Sequence, residues 1–561
     1  MEDGTNLSNS NLKTFDNFYA DLAQSAYNGR PNAFPRYNNA VNWKLIDYSQ
    51  HINYAGENTP GGKHLPHNGR VYLQPDPELR DTYKVTSVPV PDANGMRQDI
   101  HHKRYQKGLL TDDEAGFSAY YLTDTPTLTN DTKKTYMAIR GSDAISKENW
   151  NDWVDNDAKF ALNHIHTPQA KLATAGMKAK IAEMREKAPQ ATMDITGHSL
   201  GTIVSAQGVA GLTDEELEKI GKVVLFDGPD TTKSLKKMGL SDEKIKKISE
   251  KIEYYVNPFD VVGMLNREHT ITKLPGDSDE PLKKPVGKVN VLVPLHYTQI
   301  TDPESSHDFG VFQSDGKGNL LTASEDFHPE LLRAGEKLAR LIATTLDSLR
   351  ALGVDENVAS NILNAIMRGE ALTKMAIGYV VFENFTTEYS KIVEEARKES
   401  IKWDREAIPR YQEQLRNGNL TGEKRILVRA QLLQTAAQLA NFDMEDKVKS
   451  VKTLLSDAKE DIQNMIKETR QTAFDMVGYL SSSEVTNLLS GFDTTSFWDE
   501  GVESDTKTAA TYFLTQIEQL GESLVKASGS FETIDTDRAE DFNNLLADVK
   551  QTWRGKNGSA N

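Results

Sequence analysis

A serine set between two glycines, in Gly197-His198-Ser199-Leu200-Gly201, is the strongest chemical signal in the chain. It follows a short run with two β-branched residues, Asp194-Ile195-Thr196, and precedes a helix-like stretch that starts near Thr202. Glycines two residues to either side of the serine leave room for a tight strand-to-helix turn where side chains would clash. Such a turn presents the hydroxyl and sets the N–H of Leu200 beside it as an oxyanion donor. A serine hydroxyl is a weak nucleophile until an imidazole takes its proton, and the imidazole needs a carboxylate to fix its tautomer. In the order serine, acid, base, the acid should follow a later strand. Asp260 does, arriving after Ile252–Val256 through Asn257-Pro258-Phe259.

The histidines beyond Asp260 are His269, His296, His307 and His328. His307 lies in the loop Ser305-Ser306-His307-Asp308-Phe309, after the apolar run 289–295, and a loop can approach the nucleophile. His296 abuts that run and is the rival. His269 is too close to Asp260 in sequence to swing over independently, and His328 sits at the start of the helical half. His198, inside the turn, is expected to pack or to orient it. A second oxyanion donor is expected from Arg140-Gly141-Ser142-Asp143, through the N–H and hydroxyl of Ser142.

The elements that must hold these groups alternate. Strand-like runs at 135–139, 194–196, 222–226 and 252–256 are separated by helical stretches, notably 169–186 with Leu172, Met177, Ile181 and Met184 on one face. That alternation predicts an α/β domain with a mostly parallel sheet, whose site gathers at the carboxyl ends of the strands. Proline and histidine mark its limit. Of 20 prolines only Pro329 and Pro409 lie from 329 onward, and all 12 histidines lie at or before His328. We therefore expect an α/β domain over 1–325 and an elongated all-helical domain over 326–561. The stripes Leu338, Leu341, Ile342, Leu346, Leu349 and Val448, Val451, Leu455, Ala458, Ile462, Met465 predict long antiparallel helices. Turns are expected at Asn417-Gly418, 481–483 and 528–530.

At 561 residues the chain exceeds what one core fills. The net charge of −17 and the lack of any Lys/Arg-rich run argue against nucleic acid as a partner. With no cysteine, thiol nucleophiles, disulfides and Cys-based zinc sites are excluded. No cofactor and no metal is expected. Residues 1–30 hold no apolar core and no basic start, so no standard signal peptide is expected, and no window is apolar enough to span a membrane. The stretch 233–251 alternates lysines with Leu235, Met238, Leu240, Ile245 and Ile248, so it reads as a basic helix that could rest on anionic lipid, or as a solvated surface helix.

Ala138-Ile139-Arg140-Gly141-Ser142, followed by Asn149-Trp150 and Asp152-Trp153, resembles the RG(S/T)…W stretch of the class 3 lipases. The serine turn, Phe226-Asp227-Gly228-Pro229 and Val256-Asn257-Pro258-Phe259-Asp260-Val261-Val262 follow in that family's order, covering about 130–310. The family usually has Phe-Gly-x-Pro where this chain has Phe-Asp-Gly-Pro. The resemblance implies an α/β-hydrolase fold with Ser199 as nucleophile, Asp260 as acid, His307 as base, and Ser142 and Leu200 as oxyanion donors. It also implies a lid near 143–153 bearing Trp150 and Trp153.

A lipase joined to a C-terminal LXG-like helical module resembles the lipase toxins of type VII secretion systems. Phe531-Glu532-Thr533-Ile534-Asp535 is similar to the FxxxD element of that route. This resemblance implies a secreted lipase or phospholipase A acting on membrane lipid. Small helical accessory proteins would pack on the C-terminal domain, and an immunity protein would block the lipase domain. The alternatives are a catalytically silent lipase-fold adaptor and a cytosolic esterase on small soluble esters.

Overall fold

The computed structural model describes residues 16–27, 33–35, 43–48, 69–92, 95–141, 167–297, 306–314, 319–352, 376–417, 420, 422–476, 478–521 and 523–525. The described residues form two compact units, one of those up to 314 with 319–400 and the other of those from 401 onward.

The first unit is built on an α/β-hydrolase-like sheet whose central part is parallel. In chain order its strands are β1 (Lys44–Asp47), β2 (Arg70–Leu73), β3 (Arg80–Asp92), β4 (Gly95–Lys107), β5 (Thr111–Asp112), β6 (Phe117–Thr123), β7 (Lys134–Ile139), β8 (Thr192–His198), β9 (Ile220–Phe226), β10 (Ile252–Val256) and β11 (Lys288–Val291). Strands β7 to β11 are consecutive neighbours and all parallel. Runs such as Val223-Val224-Leu225-Phe226 and Met137-Ala138-Ile139 are continuously apolar and buried, as strands covered on both faces are. Antiparallel β6 pairs with β7, and the sheet continues through β5 and β4 to β3 at its margin. Pro89 and Pro91 lie in that marginal strand.

Strand β8 separates the two layers of helix. Alternate residues of a strand point to opposite faces. On one face the helix Asp16–Ser25 packs, with the Tyr19 hydroxyl donating to Asp194 Oδ2 (2.9 Å) and Thr196 Oγ1 donating to the Tyr19 carbonyl (3.2 Å). On the other, Gly197 faces the helix Leu200–Ala210, every residue of which is buried. That helix is covered in turn by Pro168–Lys187, whose Ala170, Ala173, Met177, Ile181 and Met184 form its buried stripe.

The expected boundary at 325/326 is not where the compact units divide. The helix Pro329–Ala351 buries Leu331, Ala334, Leu338, Ile342, Leu346 and Leu349 within the first unit. Its Glu336, fully buried, accepts the backbone N–H of His269 (2.7 Å) and Ile271 (3.2 Å). The helix Ala376–Arg416 contributes its residues up to Ser400 to the same unit. Residues 233–251 also depart from expectation. They form two short helices, Thr232–Lys237 and Asp242–Ser249, parted by Gly239 at φ +77°. Their Leu235, Ile245 and Ile248 are buried, Met238 and Leu240 are half-buried and most of the lysines are exposed, the pattern of a solvated surface segment.

In the second unit, Ala407, Tyr411 and Val428 form a small core between the end of Ala376–Arg416 and the 55-residue helix Gly422–Met476. Ser481 is less a turn than a helix cap, in a capping box with Glu484. The helix over 500–521 runs antiparallel to Gly422–Met476, since Lys459 pairs with Glu500 and Glu503 while Gly521 sits beside Ala437. Of the expected stripe, Val448 is buried, Val451, Leu455 and Ile462 are half-buried, and Ala458 and Met465 are exposed. No helix among the described residues is long and apolar enough to cross a membrane.

Candidate active site

Ser199 stands alone between strand β8 and the helix Leu200–Ala210, at φ +57°, ψ −130°. A non-glycine residue holds that strained backbone only when its surroundings enforce it. The neighbours do so. A side-chain carbon at Gly197 would meet the Gly201 carbonyl oxygen at 2.6 Å, and one at Gly201 would collide with the Ile139 carbonyl oxygen. The Ser199 N–H is anchored to the Phe226 carbonyl on β9 (3.0 Å). Leu200 begins the helix, where backbone N–H groups lack intrahelical partners.

The hydroxyl does not face solvent. Ser199 is 3% exposed, and its Oγ lies 2.9 Å from His307 Nε2. His307 Nδ1 is 3.0 Å from Asp260 Oδ2. Asp260 comes off the end of β10 and caps the short helix Val261–Met264, accepting the N–H of Val262 at Oδ1 (3.1 Å) and of Gly263 at Oδ2 (2.6 Å). A carboxylate fixed by two backbone donors holds its orientation toward the imidazole. Serine, imidazole and carboxylate thus form a continuous relay able to move a proton from Oγ to Nε2. His296 and His269 are not in this relay, and His328 pairs instead with Glu330 (2.7 Å).

His198 orients the turn. Its Nε2 lies 2.8 Å from the His307 carbonyl oxygen, so that nitrogen donates. Its Nδ1 then accepts from the Tyr27 hydroxyl (3.0 Å). Tyr27 in turn accepts the Gly141 N–H (3.2 Å), which ties the loop after β7 to the nucleophile turn. A side-chain carbon at Gly141 would sit 3.4 Å from Ser199 Cβ. Ser142, the next residue, lies outside the described residues, as do Trp150, Trp153 and the expected lid.

Sequence reasoning missed two buried ionisable side chains behind the acid. Asp227 follows β9 at φ +46°, and its Oδ1 accepts the Asn257 N–H (2.7 Å) while Oδ2 has no partner. Burial, and then the nearby charge of Asp260, push its carboxyl well above the usual carboxylate range. Arg267, wholly buried, donates from Nε to the Gly263 carbonyl and from Nη2 to the Gly228 carbonyl, both at 2.7 Å. It also stacks 4.5 Å over the Tyr254 ring, and so pins the loops that follow β9 and β10 to each other. The Phe-Asp-Gly-Pro departure was the only available signal for Asp227. For Arg267 there was none.

No group of residues able to hold a metal ion occurs among the described residues.

The cutinase family model matches residues 123–269, so this stretch is similar to lipase/esterase-type hydrolases. The matched segment carries Ser199 and Asp260 and ends before His307. The match is to cutinase rather than to the class 3 lipases, the family expected from the motifs. No curated protein and no solved structure matches the chain.

Proposed function

We propose that this chain is a secreted lipase or phospholipase A toxin that cleaves acyl esters of membrane lipids. The observation that carries the hydrolytic reading is the relay from Ser199 through His307 to Asp260, at 2.9 and 3.0 Å. Ser199 Oγ attacks the acyl carbonyl carbon as His307 Nε2 takes its proton, while Nδ1–H stays on Asp260. The N–H groups of Leu200 and Ser142 meet the developing oxyanion. Collapse expels the alcohol, protonated by His307, and leaves an acyl-serine. A water deprotonated by the same imidazole then releases the fatty acid.

Two surfaces support the finer reading. The hairpin β3–β4 exposes Tyr83 at 65% and Val85 at 58%. From 80 to 107 it carries six Lys and Arg against three Asp, in a chain of net charge −17. Basic and aromatic residues together suit an anionic headgroup surface. The helical unit exposes the apolar side chains of Leu454, Met465, Tyr479, Leu488 and Phe513, which small helical accessory proteins would cover in targeting the chain for type VII export. A neutralising immunity protein would act on the hydrolase unit. The Phe531–Asp535 string lies outside the described residues.

The test is release of fatty acid from vesicles of mixed bacterial lipids, read by mass spectrometry. Wild-type protein is expected to turn over and Ser199→Ala to lose at least about a thousandfold in kcat. Wild-type turnover by Ser199→Ala refutes the assignment. Folded wild-type protein that neither turns over nor reacts with a fluorophosphonate favours the adaptor. Activity with no rise above the aggregation concentration of the substrate favours an esterase on soluble esters. Export is tested in a host with and without a functional type VII system. Equal appearance outside both cells would sink that part.

A further inference from the structure

The helix Ala376–Arg416 comes long after the last strand, yet Phe385, Tyr389, Val393 and Ala396 are buried in the hydrolase unit. Tyr389 donates its hydroxyl hydrogen to the Phe259 carbonyl oxygen at 2.7 Å. That peptide leads directly into Asp260. The Ser306 side chain hydrogen-bonds the same hydroxyl, and Ser306 leads directly into His307. Burial and the Asp260 charge keep the phenol protonated and so a donor. Around this point, the Phe259 ring packs on Tyr297 at 4.8 Å between centroids, and the Tyr297 hydroxyl lies 2.6 Å from Ser400 Oγ on the same helix.

We propose that Tyr389 is a positioning residue for the Ser199–His307–Asp260 relay. Its single hydroxyl joins the peptide before the acid to the residue before the base, and so sets their separation from a helix outside the α/β core. This rests on the reading of those three residues as a catalytic triad. A catalytic group displaced by about 1 Å loses on the order of a hundredfold in rate, so even a partial shift is measurable. Removing the phenol oxygen leaves both catalytic loops without their common tether, while the ring still fills its space.

The test uses the full chain and a p-nitrophenyl acyl ester. Tyr389→Phe is expected to lower kcat about tenfold or more with KM within about twofold, and to slow fluorophosphonate labelling of Ser199 by the same factor. Ser306→Ala should behave alike. Because both act through one hydroxyl, the double variant should fall no lower than the worse single. A Tyr389→Phe protein with wild-type kcat and only a lower Tm overturns the proposal. Should Tyr389→Phe fail to fold, Ser306→Ala decides it, and wild-type kcat there has the same force. Wild-type protein that neither turns over nor labels overturns the triad reading along with this one. Active wild-type with an equally active Tyr389→Phe overturns this one alone.

Discussion

Asp227 shows how burial, more than residue type, decides what a side chain does. Its folded pKa is raised above its unfolded value of about 3.9, so the native state keeps a proton that the unfolded chain releases. The stability it contributes is full below that unfolded pKa and is lost as pH rises toward the raised folded pKa. The loss is at most roughly 1.4 kcal/mol per pH unit. Asn at this position tolerates the positive φ and carries no such proton. Asp227→Asn is therefore expected to be more stable than wild type at pH 8, with the gap closing toward pH 4. Denaturant midpoints at the two pH values measure it, and an equal gap at both would refute the argument. That Ser199, Asp260 and His307 come together was legible in the sequence, because the chemistry proposed for them fixes residue type, chain order and place after a strand. Asp227, Arg267 and Tyr389 were not. Each acts through a partner from another strand or helix, and one sequence carries no mark of that pairing.

Among the elements, the parallel strands were the readable part. Buried on both faces, β7, β9 and β10 carry apolar runs and β8 carries β-branched residues before the serine turn, and each coincided with an expected strand to within a few residues. Strands β1 to β6 were not anticipated. The pair β3–β4 mixes lysines, threonines and two prolines, a composition that reads as loop, and only its place at the sheet margin lets it be strand. The turn after β8 can be tested directly. Gly201→Ala would drive a methyl into the Ile139 carbonyl and within 3.1 Å of the Gly141 nitrogen. It is expected to lower Tm and to reduce kcat more than about tenfold, because the same shift moves Ser199. A thermal melt beside an ester assay checks both, and an unchanged protein would show that the turn has slack. Of the two readings of the lysine-rich stretch 233–251, the solvated surface one fits, in two short helices rather than one, because Leu235, Ile245 and Ile248 are buried while most lysines are exposed.

For the molecule as a whole, the break in proline and histidine use marks where helices begin, not where the hydrolase ends. Residues 329–351 and 376–400 bury their apolar stripes in the first unit. A chain stopped after 325 would expose those contacts and leave the His269 and Ile271 amides without Glu336. Such a chain is expected to melt without a cooperative transition and to show no esterase activity. A cooperative melt with wild-type kcat would mean the helices are dispensable. The marginal strand has a consequence for solution behaviour. A proline is tolerated there only where its nitrogen points away from β4. Pro89 and Pro91 therefore interrupt the outward row of amide donors at two successive positions. A second molecule trying to zip its own backbone onto this flank finds no continuous ladder. Concentrated preparations should resist strand-to-strand polymerisation from that side.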